Sequence, residues 1–146
     1  MITTMPDIVL VEDNAADIEL TLDALNENNL VNRVKVLRDG QAAMDYIFHE
    51  GKYADCGLCE RPALILLDLN LPKIDGLEIL RRIRTDERTK LIPVVVLTSS
   101  ALDQDRIESY HLGVNSYLTK PVEFDTFSKV VAQIGLYWAV LNKSPF

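Results

Sequence analysis

The sequence predicts an α/β domain of five parallel strands, doubly wound, with five helices covering both faces of the sheet. Two observations carry that expectation. Short apolar runs such as IVLV (8–11), LILL (64–67) and VVVL (94–97) recur along the chain. Between them lie stretches whose apolar residues repeat at helical spacing. Continuous apolar strands alternating with helices imply a parallel sheet buried on both sides, closed by right-handed crossovers.

Each element has its own signal. Ile8 to Val11 is short and β-branched, hence a strand. Asn14 can cap a helix from Ala15, with Asp17 in the first turn where negative charge is favoured. Ile18, Leu22 and Leu25 fall on one face, and Asn28-Asn29 ends that helix. Val34 to Leu37 is the second strand, closed by the Asp39-Gly40 turn, and residues 41–48 carry a short helix.

The third strand is Leu64 to Leu67, and Leu77, Leu80 and Ile83 mark the helix after Gly76. Pro93 to Leu97 has no polar alternation and is the fourth strand. A fourth helix is expected over Asp103 to Leu112, stopped by Gly113, and a short strand over Ser116 to Leu118. The fifth helix shows Phe124, Phe127, Val131, Ile134, Trp138 and Leu141 at alternating steps of three and four. We find no internal repeat and no interdomain linker, so residues 1–146 read as one domain with a core over about 6–141.

Composition excludes several classes. Of the 146 residues 48% are apolar and 25% charged, as in ordinary soluble domains, and the net charge is −7. A nucleic-acid binder would need a basic footprint instead. No apolar run approaches the ~20 residues of a membrane span, and MITTMPDIVLVED lacks the charged start and cleavage site of a signal peptide. With two cysteines the expected setting is cytoplasmic and disulfide-free.

Ligands of doubly wound sheets bind beyond the carboxyl ends of the strands. Glu12 and Asp13 follow the first strand, Asp68 ends the third, Thr98-Ser99 ends the fourth, and Thr119-Lys120-Pro121 follows the fifth. Any one of these could be a helix cap or a surface residue; together they place three acids, hydroxyls and a lysine on one edge. Clustered carboxylates repel by about 4 kcal/mol for two unit charges ~4 Å apart at an effective dielectric of roughly 20. Lys120 and a hard cation such as Mg²⁺ would offset that charge. Such a site suits a phosphoryl group, yet the chain has no GxxxxGK[ST] nucleotide loop. A phosphoryl group would then land on a side chain, and Asp68 is the candidate nucleophile.

The segments LVEDN (10–14), LLDLNLPKIDG (66–76), PVVVLTSS (93–100) and YLTKPVE (117–123) resemble those of two-component response-regulator receiver domains, over roughly Pro6 to Leu141. A narrower likeness, to small stand-alone cyanobacterial and bacterial phytochrome response regulators, rests on LRDGQAAMDYI (37–47), RPALILLDLNLPKIDG (61–76), VNSYLTKP (114–121) and LYWAVL (136–141).

The resemblance implies a flavodoxin-like, receiver-type fold with strand order 2-1-3-4-5. It implies that Asp68 accepts phosphate from a sensor histidine kinase, of phytochrome type by the narrower likeness. Glu12, Asp13, Asp68 and the Asn70 carbonyl would hold Mg²⁺ or Mn²⁺. Thr98, Ser99 and Lys120 would meet the phosphoryl oxygens, Tyr117 would change rotamer, and the bond before Pro121 would be cis. The chain would catalyse its own phosphorylation and slow dephosphorylation without being an enzyme for another substrate. Glu12 stands where many receivers carry Asp, which implies altered metal affinity without its loss.

The last helix carries Phe124, Phe127, Val131, Ile134, Tyr137, Trp138 and Leu141, widened by Val130. Its first half should pack on the sheet. The part beyond Gly135 suggests a homodimer contact, as the resemblance also does, on the face of helix four, strand five and helix five. The chain stops soon after that helix, so action through contact with a downstream protein, or by passing phosphate onward, is expected.

Cys56 and Cys59 have CxxC spacing, but no second pair accompanies them, and they read as free thiols in a long connection over 49–63. His49 and His111 read as surface residues. Two other functions are weaker. An aspartyl-phosphate phosphatase wants an acid two residues after the nucleophile, where Asn70 stands. A flavodoxin-like cofactor binder wants a hydroxyl- and Gly-rich first loop, where Glu12-Asp13 stand.

Overall fold

The computed structural model describes residues 8–27, 34–54, 62–98, 113–114 and 116–134. Its strands are β1 (Ile8–Val11), β2 (Val34–Leu37), β3 (Leu64–Asp68), β4 (Val94–Thr98) and β5 (Ser116–Thr119). The helices are α1 (Ala15–Glu27), α2 (Gly40–Ile47), α3 (Gly76–Thr85) and α4 (Phe124–Ile134), the last being the fifth helix of the sequence reading. The helix expected over Asp103 to Leu112 lies outside the described residues, as do His111, Cys56 and Cys59.

The five strands form one parallel sheet in the order β2-β1-β3-β4-β5. This is the flavodoxin-like receiver order, with β1 and β3 side by side where the winding reverses. Every residue of β1, β3 and β4 is buried, which explains why their sequences show no polar alternation.

The side chains of those strands divide by parity between two cores. Val9, Val11, Ile65, Leu67, Val94 and Val96 face α2 and α3, packing on Ala43, Ile47, Leu77, Ile79, Leu80 and Ile83. Ile8, Leu10, Leu64, Leu66, Val95 and Leu97 face α1 and α4, packing on Ile18, Leu25, Phe127 and Val130. Burying each such side chain contributes about 1.5–3 kcal/mol, so a charge at any of these positions would be strongly disfavoured. The polar residues are displaced to the strand ends.

Capping sets where the helices start. Asn14 Oδ1 accepts the Asp17 N–H at 2.9 Å, and Asp39 Oδ1 accepts the Ala42 N–H at 2.7 Å. Asp75 Oδ1 accepts the Leu77 N–H at 3.1 Å. Each of these bonds satisfies an amide that the first helical turn leaves unpaired. At the other end of α3, Arg84 donates to the carbonyls of Gly113 and Ile92 at 2.6 and 2.7 Å, tying the helix to the segments before β5 and β4.

Strands β3, β4 and β5 each run one residue further than their apolar patterns indicate. Asp68 pairs with Leu97, and Thr98 with Thr119, so polar side chains complete the ladder. β4 begins at Val94 rather than Pro93, whose carbonyl still accepts the Ile65 N–H. The connection after α2 contains a 3₁₀ turn, Gly51–Tyr53, that apolar periodicity did not signal. His49, with φ of 54°, stands half-buried between α2 and that turn rather than fully at the surface.

Phe127 corrects the reading of the last helix. It belongs to the apolar seam offered as a dimer or partner face, but it is completely buried in the core formed with α1, which agrees with the expectation that the first half of this helix packs on the sheet. A side chain already enclosed within its own chain has no surface to offer a second copy. Phe124, Val131 and Ile134 lie on α4, with their side chains outside the described set, and Tyr137, Trp138 and Leu141 lie outside the described residues altogether.

Candidate functional site

The carboxyl edge of the sheet brings Glu12, Asp13, Asp68 and Lys120 together. Glu12 follows β1 and is fully buried; its N–H donates to the Leu37 carbonyl at 3.1 Å, which fixes the backbone beside β2. Its Oε2 accepts the Asn14 N–H at 3.2 Å. Asp68, the last residue of β3, is buried as well, and its Oδ1 accepts the Asn70 N–H at 3.0 Å. Asp13 reaches solvent beside them. One carboxylate oxygen from each of Glu12, Asp13 and Asp68 lies within 4.8 Å of the others.

Lys120 is the counter-charge. Its Nζ lies 2.9 Å from Glu12 Oε1, 3.0 Å from Asp68 Oδ2 and 3.1 Å from Asp17 Oδ2. Its own N–H donates to the Thr98 carbonyl at 2.9 Å, holding the residue against the end of β4, and its bond to Pro121 is cis. Burial lowers the affinity of Lys120 for its proton, but the Glu12 and Asp68 carboxylates outweigh it, so the ammonium is held more tightly than usual. Glu12 moves the other way from a normal carboxyl. Burial first and the neighbouring Asp68 second push its pKa up from 4.5 to about 7, against the pull of Lys120.

Asp17 is the residue that sequence reasoning left out of this site. It was read only as a helix-favouring acid in the first turn of α1. The signal was its position on the turn that starts directly behind Glu12-Asp13, above the strand end that Lys120 approaches. The Asn14 amide is already taken by Glu12, and the Asp17 carboxylate extends to Lys120.

The remaining residues surround this cluster. Thr98 is buried at the end of β4, next to Lys120 through the main chain. Tyr117 on β5 is half-buried against the core on the α2–α3 side. Asn70 is exposed and lines an open cleft of about 470 Å³ with Asp13, Leu71, Pro72, Lys73 and Asp75. Ser99 lies outside the described residues.

Gly76 sets how closely α3 starts behind the end of β3. A Cβ there would fall 2.5 Å from the Asp68 carbonyl oxygen and 2.6 Å from Leu69 Cα, so α3 can start this close to the end of β3 only with glycine. The Gly76 N–H donates to the Leu69 carbonyl at 3.0 Å and closes the loop.

Oxygen donors alone, clustered, partly buried and open to solvent on one side through Asp13, suit a small hard cation that keeps some of its water. Glu12, Asp13 and Asp68 fit Mg²⁺ or Mn²⁺ by that chemistry, and the Asp68 carboxylate adds to burial in raising the Glu12 pKa.

Sheet order and acidic edge together define a doubly wound α/β domain with its polar centre where the winding reverses. The chain belongs to the response regulator receiver domain family, whose model matches residues 8–132. It is 45% identical to the response regulator Rcp1 of Synechocystis sp., over 90% of this chain and 87% of that one. It is also 45% identical to the probable methanogenesis regulatory protein FilR2 of Methanothrix harundinacea, over 94% and 86%. Among solved structures, the bacteriophytochrome response regulator RtBRR superposes with a TM-score of 0.85 at 49% identity, over 97% of this chain and 84% of that one. The Mn²⁺-bound form of Rcp1 superposes with a TM-score of 0.69 at 41% identity, over 93% and 95%. The relatives of the chain thus include a bacteriophytochrome response regulator.

Proposed function

We propose that the chain accepts a phosphoryl group on Asp68 from a sensor histidine kinase and signals through the contacts that this modification changes. The observation that carries the reading is the placement of Asp68 Oδ2 against Lys120 Nζ at 3.0 Å, at the open end of β3, within the acidic trio.

In the reaction an Asp68 oxygen attacks phosphorus, the bond from phosphorus to the kinase's histidine nitrogen breaks, and that nitrogen keeps the electron pair. An acyl phosphate results, and water later cleaves it to inorganic phosphate. Lys120 presents a fixed positive charge to the phosphoryl oxygens as negative charge accumulates on them. The buried Thr98 hydroxyl at the adjacent strand end would supply a further hydrogen bond. Mg²⁺ or Mn²⁺, held by Glu12, Asp13, Asp68 and the Asn70 carbonyl, would neutralise phosphoryl charge when bound.

Signalling follows from a new dianion that offers hydrogen-bond partners to Thr98 and Lys120 in one state only. Tyr117 on the neighbouring strand is placed to respond, coupling the site to the β5–α4 side. A phytochrome-type kinase is favoured by the likeness to Rcp1 and RtBRR, and a cytoplasmic homodimer is the assembly we infer. Among the described residues no helix is long and apolar enough to cross a membrane.

Intact-protein mass after incubation with acetyl phosphate tests the reading. A Mg²⁺-dependent gain of one phosphoryl group, absent from Asp68→Asn, is the expected result. No gain in the wild type overturns it.

A further inference from the structure

We propose that Asp17 is a positioning residue that anchors the Lys120 ammonium over Asp68 independently of the acidic trio. The inference rests on the phosphoacceptor reading of Asp68 for its consequence in the reaction, but its geometry stands alone.

The Lys120 ammonium donates hydrogen bonds to Asp17 Oδ2 and Asp68 Oδ2 and forms a charge pair with Glu12 Oε1 at 2.9 Å. Glu12 and Asp68 belong to the trio whose oxygens converge as cation ligands; Asp17 does not. Glu12 and Asp68 therefore divide their negative charge between Lys120 and a cation, and Asp68 changes again when phosphorylated, since an acyl phosphate removes its carboxylate charge. Asp17 is neither one of the converging cation ligands nor the group that is phosphorylated, so neither event acts on it directly. Among the described residues it is the one ion-pair partner of the Lys120 ammonium outside the metal-ligand set.

Its backbone is fixed too. The Asp17 N–H is held by Asn14 Oδ1 at 2.9 Å in the first turn of α1, so the carboxylate extends from a rigid helix end. Its side chain is 29% exposed against 15% for Lys120, placing the pair at the rim, where the anchor does not block an incoming donor. A lysine has four rotatable bonds and is a poor fixed electrode without such a restraint.

The test uses the full chain labelled with ¹⁵N-lysine. The ammonium resonance of Lys120, assigned by its absence from Lys120→Arg, is followed with saturating Mg²⁺. Asp17→Ala is expected to speed ammonium hydrogen exchange about tenfold or more, or to abolish the resonance. Asp17→Asn keeps the shape without the charge and should fall between, which serves if the alanine variant folds poorly. Exchange within twofold of wild type in both variants overturns the anchor.

With acetyl phosphate, both variants should lower the maximal phosphorylation rate, by roughly ten- to hundredfold for alanine, without raising the half-saturating donor concentration. An unchanged maximal rate also overturns the proposal. If the wild type takes up no phosphoryl group, the Asp68 reading fails, and the exchange experiment still decides the anchor.

Discussion

Lys120 Nζ stands 3.0 Å from Asp68 Oδ2 although β4 lies between their strands. Neighbouring strands are about 4.8 Å apart, so the lysine crosses two spacings to reach its partner. It can do so because both residues project beyond the carboxyl edge, where the sheet no longer intervenes. The pair joins the centre of the sheet to its β5 edge through charge rather than through the ladder.

Lys120→Ala should destabilise the metal-free chain at neutral pH by roughly 3 kcal/mol, because it leaves the buried Asp68 carboxylate, and the ionised fraction of Glu12, without a counter-charge. The deficit should narrow toward pH 5, where Glu12 is protonated. Urea melts at the two pH values check both statements.

Cation binding should depend on pH through Glu12. A carboxyl raised to about 7 on folding retains a proton that must leave before it can bind metal, so Mg²⁺ affinity should rise as pH passes through about 7 and level off above it. Without metal the sign for stability is opposite. The folded chain holds the Glu12 proton more tightly than the unfolded chain does. The resulting stabilisation is fully present below pH 4.5 and is lost as pH rises through about 7. Calorimetric titration with Mg²⁺ across this range, with Glu12→Gln as the flat control, measures the effect.

Gly76→Ala should cost about 1–3 kcal/mol, since the added methyl meets the backbone of Asp68 and Leu69 rather than a side chain that could turn aside. The same displacement should weaken Mg²⁺ binding, because it pushes on the strand end that carries Asp68. Thermal melts and metal titration of the one variant report both consequences.

Phe127→Ala should lower stability by about 3–5 kcal/mol, as expected for a fully buried ring. It should leave the association of still-folded chains unchanged. Denaturant melts alongside sedimentation at matched folded fraction distinguish a core residue from an interface residue.

The sheet was legible because its signal is local. A strand buried on both faces can be written only with apolar residues, so IVLV, LILL and VVVL announce themselves, and the acids that follow them stand out by contrast. Asn14 was readable as a cap for a similar reason, since it acts on an amide three residues away, and Asp39 and Asp75, which gave only turn signals in the sequence, cap their helices in the same local way. The 3₁₀ turn at Gly51–Tyr53 was not legible, since three residues carry no periodicity.

The sequence by itself determined which residues could line the carboxyl edge, because covalent order places them directly after apolar strands. Only the tertiary structure decided who pairs with whom. Asp17 and Lys120 are 103 residues apart, and their contact arises from a helix turn and a strand end being brought together by two separate crossovers. Phe127 shows the converse, for helical spacing marks an apolar stripe without saying what covers it. Periodicity is a property of one segment, whereas a contact is a property of two.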